Sequence, residues 1–192
     1  AGLGPLPDHS AADNPPAAVD DRDPPPRPAA LLLVDTQVIA EGLPRSLAAG
    51  IAAALASFCE ARAVAGLGAR DAAVGLARHH RDALLDHGLP ALAARRDRVV
   101  TGSLEQAVAA AALLTEPGFE PTRLAAAHAV LDGLRGVTTT SHMLDGELAA
   151  FGTLVQISLE ASRWMDASLR PGRRAEAERI AAFLAAAGLP TT

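Results

Sequence analysis

The chain has 192 residues, 49% of them apolar, and a formal net charge of −5. That length allows one sizeable core, and the acidic balance excludes nucleic acid as a main partner, because phosphate binding needs a basic face. No lysine occurs anywhere in the sequence, which excludes Schiff-base chemistry on lysine and a lysine-bearing phosphate loop.

The apolar residues are mostly Ala and Leu, with one Trp, four Phe and no Tyr. Ala and Leu favour helix, whereas strands draw on β-branched and aromatic residues. The composition therefore predicts an all-α fold. Cys59 is the only cysteine, so neither an internal disulfide nor a Cys-rich zinc site is available. Its neighbours Leu55, Phe58 and Ala61 predict a buried, inert thiol. No signal peptide is visible, and the longest uncharged helical run, residues 46–59, is short of the roughly 20 residues a bilayer requires. The expectation is a cytoplasmic protein with no membrane partner.

In chain order, residues 1–30 hold eight of the fourteen prolines together with Asp8, Asp13, Asp20, Asp21 and Asp23. They predict an extended lead-in that buries little. Leu31-Leu32-Leu33-Val34, closed by Asp35-Thr36, predict one short buried strand. Leu47, Ile51, Leu55 and Phe58 form one apolar stripe on a first helix from Ser46. Gly66-Leu67-Gly68 reads as a linker turn, since no strand precedes it and Asp71 stands where a dinucleotide loop needs its third glycine.

A second helix is predicted from about residue 71 to 86, stopped by Gly88 and Pro90, and a third over 90–97. Ser103, with Gln106 as its capping-box partner, opens a fourth that carries Leu104, Val108, Ala111 and Leu114. Pro117-Gly118 breaks it. A fifth starts near Thr122, places Leu124, His128 and Leu131 on one face, and ends at Gly133 and Gly136. A sixth follows Thr140-Ser141, with Leu144, Leu148, Phe151, Val155 and Leu159 in register. A seventh follows Pro171-Gly172 and turns Ile180, Phe183, Leu184 and Ala187 inward. The sum is an all-α bundle of about seven helices with one short N-terminal strand, in which alanines let helix axes approach closely.

Few residue clusters suggest chemistry. Ser141, His142 and Asp145 are triad residue types, yet they sit within five residues at a helix start, where Ser and Asp are expected as caps. His79, His80 and His87 lie in an Arg- and Asp-rich helix and read as surface. Arg95-Arg96 and Arg173-Arg174 read as solvated helix faces. His128 lies on an apolar face, as a hydrogen-bonded core histidine or as a metal ligand facing a cleft. Asp145 is placed to face the same cleft. Two ligands make a poor site, because catalytic zinc normally takes three from the protein.

Longer motifs add a resemblance. Leu124-Ala125-Ala126-Ala127-His128-Ala129-Val130 is similar to the metal-binding helix of glycerol dehydrogenases. Gly146-Glu147-Leu148-Ala149-Ala150-Phe151-Gly152-Thr153-Leu154-Val155-Gln156 resembles their second signature helix. Val34-Asp35-Thr36, Leu47-Ala48-Ala49-Gly50-Ile51, Glu60-Ala61-Arg62-Ala63, Phe119-Glu120 and Gly188-Leu189-Pro190-Thr191-Thr192 resemble further segments in the same order. Over residues 31–192 the chain thus resembles the C-terminal helical domain of glycerol dehydrogenase-like proteins in the iron-containing alcohol dehydrogenase family, whose fold is of the dehydroquinate synthase-like type.

The resemblance implies a helical domain of metal-binding type over 31–192, with 1–30 a remnant of the cofactor domain. It implies NAD and one zinc or iron ion, held by one Asp and two His, that polarises the hydroxyl of a polyol such as glycerol. Carried over by position, the Asp ligand falls on Ala53, one His on His128, the other His on Asp145, and a further family His on Leu131. His142 matches a family His near the last ligand, and Asp13 matches a substrate-contacting Asp. No residue is assigned to catalysis or to cofactor binding. Ancestry among NAD-linked, metal-dependent polyol oxidoreductases is therefore expected, with an incomplete chain that is inactive alone. The partners expected are a separate cofactor-domain chain or further copies of itself; the alternative is a non-catalytic interaction module.

Overall fold

In the computed structural model, residues 31–65, 71–115, 125–161 and 170–191 are described. The lead-in with Asp13, the Gly66-Leu67-Gly68 turn, the Pro117-Gly118 break, Thr122 and Leu124 lie outside them.

The expected strand does not form: residues 31–35 carry no secondary structure, and Leu31 and Leu33 are 81% and 89% exposed. A strand needs a neighbour for its ladder, and there is no other strand among the described residues to supply one. Asp35 instead opens a short helix that the sequence pattern missed, α1 (Thr36–Glu41). Its Oδ1 accepts hydrogen bonds from the amides of Gln37 at 2.9 Å and Val38 at 3.3 Å, as an N-cap aspartate should.

The first predicted helix is α2 (Pro44–Ala65), the hub of the fold. The stripe of Leu47, Ile51, Leu55 and Phe58 understates it. Ala48, Ala49, Ala52, Ala54, Ala56 and Cys59 are buried as well, so the helix is covered on nearly all sides, as a central helix should be. At this length and apolarity it would also pass as a membrane span, but 67% of the apolar window is buried inside the fold. Burial pushes the Cys59 thiol up to about 12, which keeps it protonated and unreactive, as expected.

The second and third predicted helices are one, α3 (Asp71–Arg96), which runs through Gly88 and Pro90. Gly88 is not a stop but a packing position: a Cβ there would lie 2.6 Å from Phe183 Cζ. Leu84 before the pair and Ala91, Leu92 and Ala94 after it are all buried, so tertiary packing outweighs the local penalty of Pro. Arg95, expected on a solvated face, is 6% exposed, while Arg96 is exposed.

The fourth helix is α4 (Gly102–Leu114), and its cap is Thr101, two residues ahead of the expected Ser103; Thr101 Oγ1 accepts from the Leu104 amide at 3.2 Å. Next come α5 (Ala126–Arg135), a 3-10 turn (Thr138–Thr140), α6 (Asp145–Ala161) and α7 (Arg170–Ala186). Gly133 does not end α5; Gly136 does. Ile180, Phe183 and Leu184 of α7 point inward as expected.

α6 departs most from its predicted stripe. Leu144 and Leu159 are exposed, and Phe151 and Val155 half-buried. Leu148 is buried as expected, but the rest of the buried face runs through Gly146, Glu147, Ala149, Ala150, Gly152, Thr153, Gln156 and Ile157. Small residues let α6 lie against α2 and α5, and two glycines sit at the crossings. A Cβ on Gly146 would be 2.0 Å from the Ala49 carbonyl oxygen, and one on Gly152 would be 2.2 Å from that of Ala127.

Around α2, helices α3, α4, α5 and α6 all pack directly, with α7 against α6 and α3. The main core gathers Ile51, Leu55, Phe58, Leu84, Leu114, Ile180 and Leu184. One end of it is closed by charge. Arg62, only 3% exposed, pairs with Glu160 and Glu176, and Glu176 also takes Arg81. The guanidinium groups of Arg62 and Arg81 lie 5.5 and 5.0 Å from the Phe58 ring centroid, a cation–π arrangement that ties α2, α3, α6 and α7 together.

Candidate functional site

The N-terminus of α5 has no side-chain cap of its own, since Ala125 occupies that position. Its amides are met from neighbouring helices. Glu60 on α2, fully buried, accepts with Oε1 from the amides of Ala125 at 3.2 Å and His128 at 2.8 Å. Gln156 on α6 accepts from the amide of Ala127 at 3.0 Å and donates to the Cys59 carbonyl at 3.0 Å and to Glu160 at 3.1 Å. A carboxylate at the positive end of a helix, holding orphan amides, is a stabilising arrangement.

The other oxygen of Glu60 reaches His128: Nδ1 to Oε2 is 2.5 Å. The imidazole, 26% exposed, is therefore oriented by a buried carboxylate. This agrees with the reading of His128 as a hydrogen-bonded histidine at the edge of the core.

Asp145 stands at the first residue of α6, more than half exposed, and faces an arginine. Arg135 Nε donates to Oδ1 at 3.0 Å and Nη2 to Oδ2 at 2.6 Å. That hydrogen bonding raises the Arg135 pKa further. Ala53 presents a methyl group. It borders an apolar groove of about 540 Å³ between α1, α2 and α4, walled by Val38, Leu47, Val108 and Ala112.

The structure thus gives His128 and Asp145 separate partners, Glu60 and Arg135. Leu131, where the resemblance would place another His, is a buried core residue. Among the described residues no group of three or more His, Cys, Asp or Glu side chains is arranged to hold a metal ion. The donor chemistry at positions 53, 128 and 145 does not fit a zinc or iron site: one position offers no donor atom, and a second has both oxygens on a guanidinium.

No triad forms either. Ser141 Oγ donates to the Thr138 carbonyl at 2.9 Å in an exposed turn, and Asp145 is committed to Arg135. His79 is exposed and His80 and His87 are half-buried, with His87 Nδ1 3.4 Å from Ser103 Oγ.

The start of α6 is set by another pair. Glu147, with its side chain 11% exposed, takes Arg45 through both oxygens at 2.5 Å and the Leu144 amide at 2.9 Å. Arg45 also donates to the His142 carbonyl at 3.0 Å. The Arg45 hydrogen bond, followed by that of the Leu144 amide, holds the Glu147 carboxyl below its ordinary range. A carboxyl depressed in the folded state contributes stability that is present above its unfolded pKa and lost as pH falls through the folded value. Urea melts on acidification should therefore show wild type losing stability that Glu147→Gln lacks from the outset, with the two curves converging at low pH. Curves that stay parallel throughout would contradict this.

Glu60, Gln156 and Arg135 carry this region, and none of them stood out in the sequence as a site residue. The available signal was a single carboxylate and a single amide inside otherwise apolar helical runs.

No protein-family model matches the chain. A glycerol dehydrogenase from Pseudomonas putida is 42% identical over 171 residues, covering 85% of this chain and 44% of that protein. One from Escherichia coli is 40% identical over 170 residues, 84% of this chain and again 44% of the relative. Among solved structures, the glycerol dehydrogenase of Schizosaccharomyces pombe superposes with a TM-score of 0.70 at 32% identity, over 82% of this chain and 40% of that one. The chain spans less than half the length of these relatives.

Proposed function

The chain is a glycerol dehydrogenase-like protein with the iron-containing alcohol dehydrogenase fold, and on that premise we propose that it derives from NAD-linked, metal-dependent polyol oxidoreductases but does not itself transfer hydride. Zinc or iron, NAD and a polyol such as glycerol are the cofactors and substrate of this reading. Residues 31–192 form its helical, metal-binding-type unit and 1–30 a separate lead-in, with Asp13 as a substrate-contacting candidate. In such chemistry the metal acts as a Lewis acid on the substrate hydroxyl.

The observation that carries the proposal is the fate of the ligand positions. His128 is the one position that keeps a ligand residue type, and Glu60 orients it. Asp145 has changed type and binds Arg135. Ala53 supplies only a methyl group to an apolar wall. Losing a charged ligand removes electrostatic stabilisation of any cation.

Incubation of the chain with NAD, glycerol and either zinc or iron is expected to give no NADH above the protein-free blank. Turnover that disappears in His128→Ala would overturn the proposal. A second reading, a non-catalytic interaction module, is favoured by Leu31, Leu33, Val38 and Leu43, each more than 60% exposed within the first described segment. The same turnover would count against it.

A further inference from the structure

We infer that Arg135 is the built-in cation at the former metal-ligand positions, and that its guanidinium, rather than an ion from solution, fixes Asp145 and the corner between α5 and α6. This rests on the glycerol dehydrogenase-like reading of positions 53, 128 and 145.

Arg135 is the last residue of α5 and Asp145 the first of α6. Each charge lies at the helix end that favours it, the cation at a C-terminus and the carboxylate at an N-terminus. Their contact is a two-bond fork, Nε to Oδ1 at 3.0 Å and Nη2 to Oδ2 at 2.6 Å, the geometry that suits a planar guanidinium and a carboxylate. The remaining Nη1 reaches Asp132 Oδ1 at 3.2 Å.

The chain between the two helices, residues 136–144, has no buried residue. It is tied instead by polar bonds: Thr140 Oγ1 to the carbonyls of Leu134 at 2.5 Å and Val137 at 2.9 Å, and Arg45 to the His142 carbonyl. Met143 alone of this segment packs against the cluster of Leu131 and Leu148, and the exposed Asp145 carboxylate takes its direction from the fork. A divalent ion approaching Asp145 would have to displace a fixed positive charge and then work against it at close range. Position 53 offers such an ion no donor.

The test compares wild type, Arg135→Gln, and Arg135→Gln combined with Ala53→Asp, each by thermal melting and by calorimetric titration with zinc. The wild-type Tm is expected to be the same with chelator or with added zinc. Arg135→Gln should melt lower by roughly 1–4 °C, in line with an exposed pair in a chain of this size. It should also bind zinc at least about tenfold more tightly than wild type, because the competing charge is gone, and Ala53→Asp should tighten binding further. A wild-type Tm that rises with zinc, or an Arg135→Gln protein identical to wild type in Tm and zinc affinity, would overturn the role of Arg135. Zinc binding by the double variant no tighter than by wild type, with the drop in Tm still present, would overturn the assignment of positions 53 and 145 on which the inference rests.

Discussion

Replacing Gly146 or Gly152 with alanine is expected to destabilise the fold by about 3 kcal/mol each, at the upper end of what overpacking usually costs. The added methyl carbon would meet main chain, not a side chain that can turn aside. At Gly146 the Cβ position is 2.0 Å from the Ala49 carbonyl oxygen and 2.4 Å from its carbon, and at Gly152 it is 2.2 Å from the Ala127 oxygen. Only a shift of a whole helix relieves such contacts. α6 would have to move off α2 in one case and off α5 in the other. For a chain of this size each loss corresponds to a Tm drop of about 6–12 °C. Gly133→Ala is the control: a Cβ there meets nothing within 4 Å, and the residue lies inside α5. Alanine should stabilise at that position by about 0.5–1 kcal/mol through helix propensity alone. If Gly146→Ala and Gly152→Ala melted with Gly133→Ala, the close approach of α6 to its neighbours would be wrong.

The second large effect is expected at Glu60. Its carboxylate is fully buried and serves three donors on α5: the amides of Ala125 and His128 and the ring nitrogen of His128. Truncation to alanine leaves these groups without their acceptor in a place that water reaches poorly. Removing one partner of a buried charged network costs about 3–5 kcal/mol. Glu60→Gln keeps an acceptor oxygen and should lose less. Hydrogen exchange localises the effect: amides 125–129 should exchange faster in Glu60→Ala than in wild type, and more so than the amides of α7, which Glu60 does not touch. Uniform acceleration across all helices, or none, would contradict the capping role.

The two predictions concern residues that a hydrophobicity pattern treats poorly, and this explains how much could be seen in advance. Composition alone pointed to an all-helical chain, and the apolar spacing located α2, α4 and α7 to within a turn or so. Breaks were overread where packing overrides propensity. Gly88 and Pro90 look like a stop signal, yet α3 continues because Phe183 fills the space beside Gly88. The predicted stripe for α6 follows its largest side chains, of which only Leu148 is buried; most of the buried face is Gly, Ala, Thr and Gln, with Glu147 and Ile157. Close packing selects for small residues, and a hydrophobic pattern scores them weakly. Residues 31–34 read as a buried strand because they are apolar, but no other strand among the described residues lies beside them.

The candidate site was legible in part. The motifs around His128 and Gly146 lie on α5 and α6, and the comparison with relatives at 42% and 40% identity agrees with the family resemblance. What the sequence could not supply was partnership. Glu60 and Gln156 lay inside quoted motifs without a role, because a residue's role as a cap for another helix depends on contacts 29 to 68 positions away in the chain. The fork between Arg135 and Asp145 is likewise a tertiary fact. Taken with Ala53, these partners support the proposed separation of ancestry from chemistry: the fold is that of glycerol dehydrogenases, while Asp145 is held by Arg135 and position 53 carries no donor.

The most direct measurement of that claim is the zinc content of the chain after purification from zinc-replete medium, read by atomic emission beside His128→Ala. No stoichiometric zinc is expected in either protein. One zinc per chain in wild type, absent from His128→Ala, would contradict it.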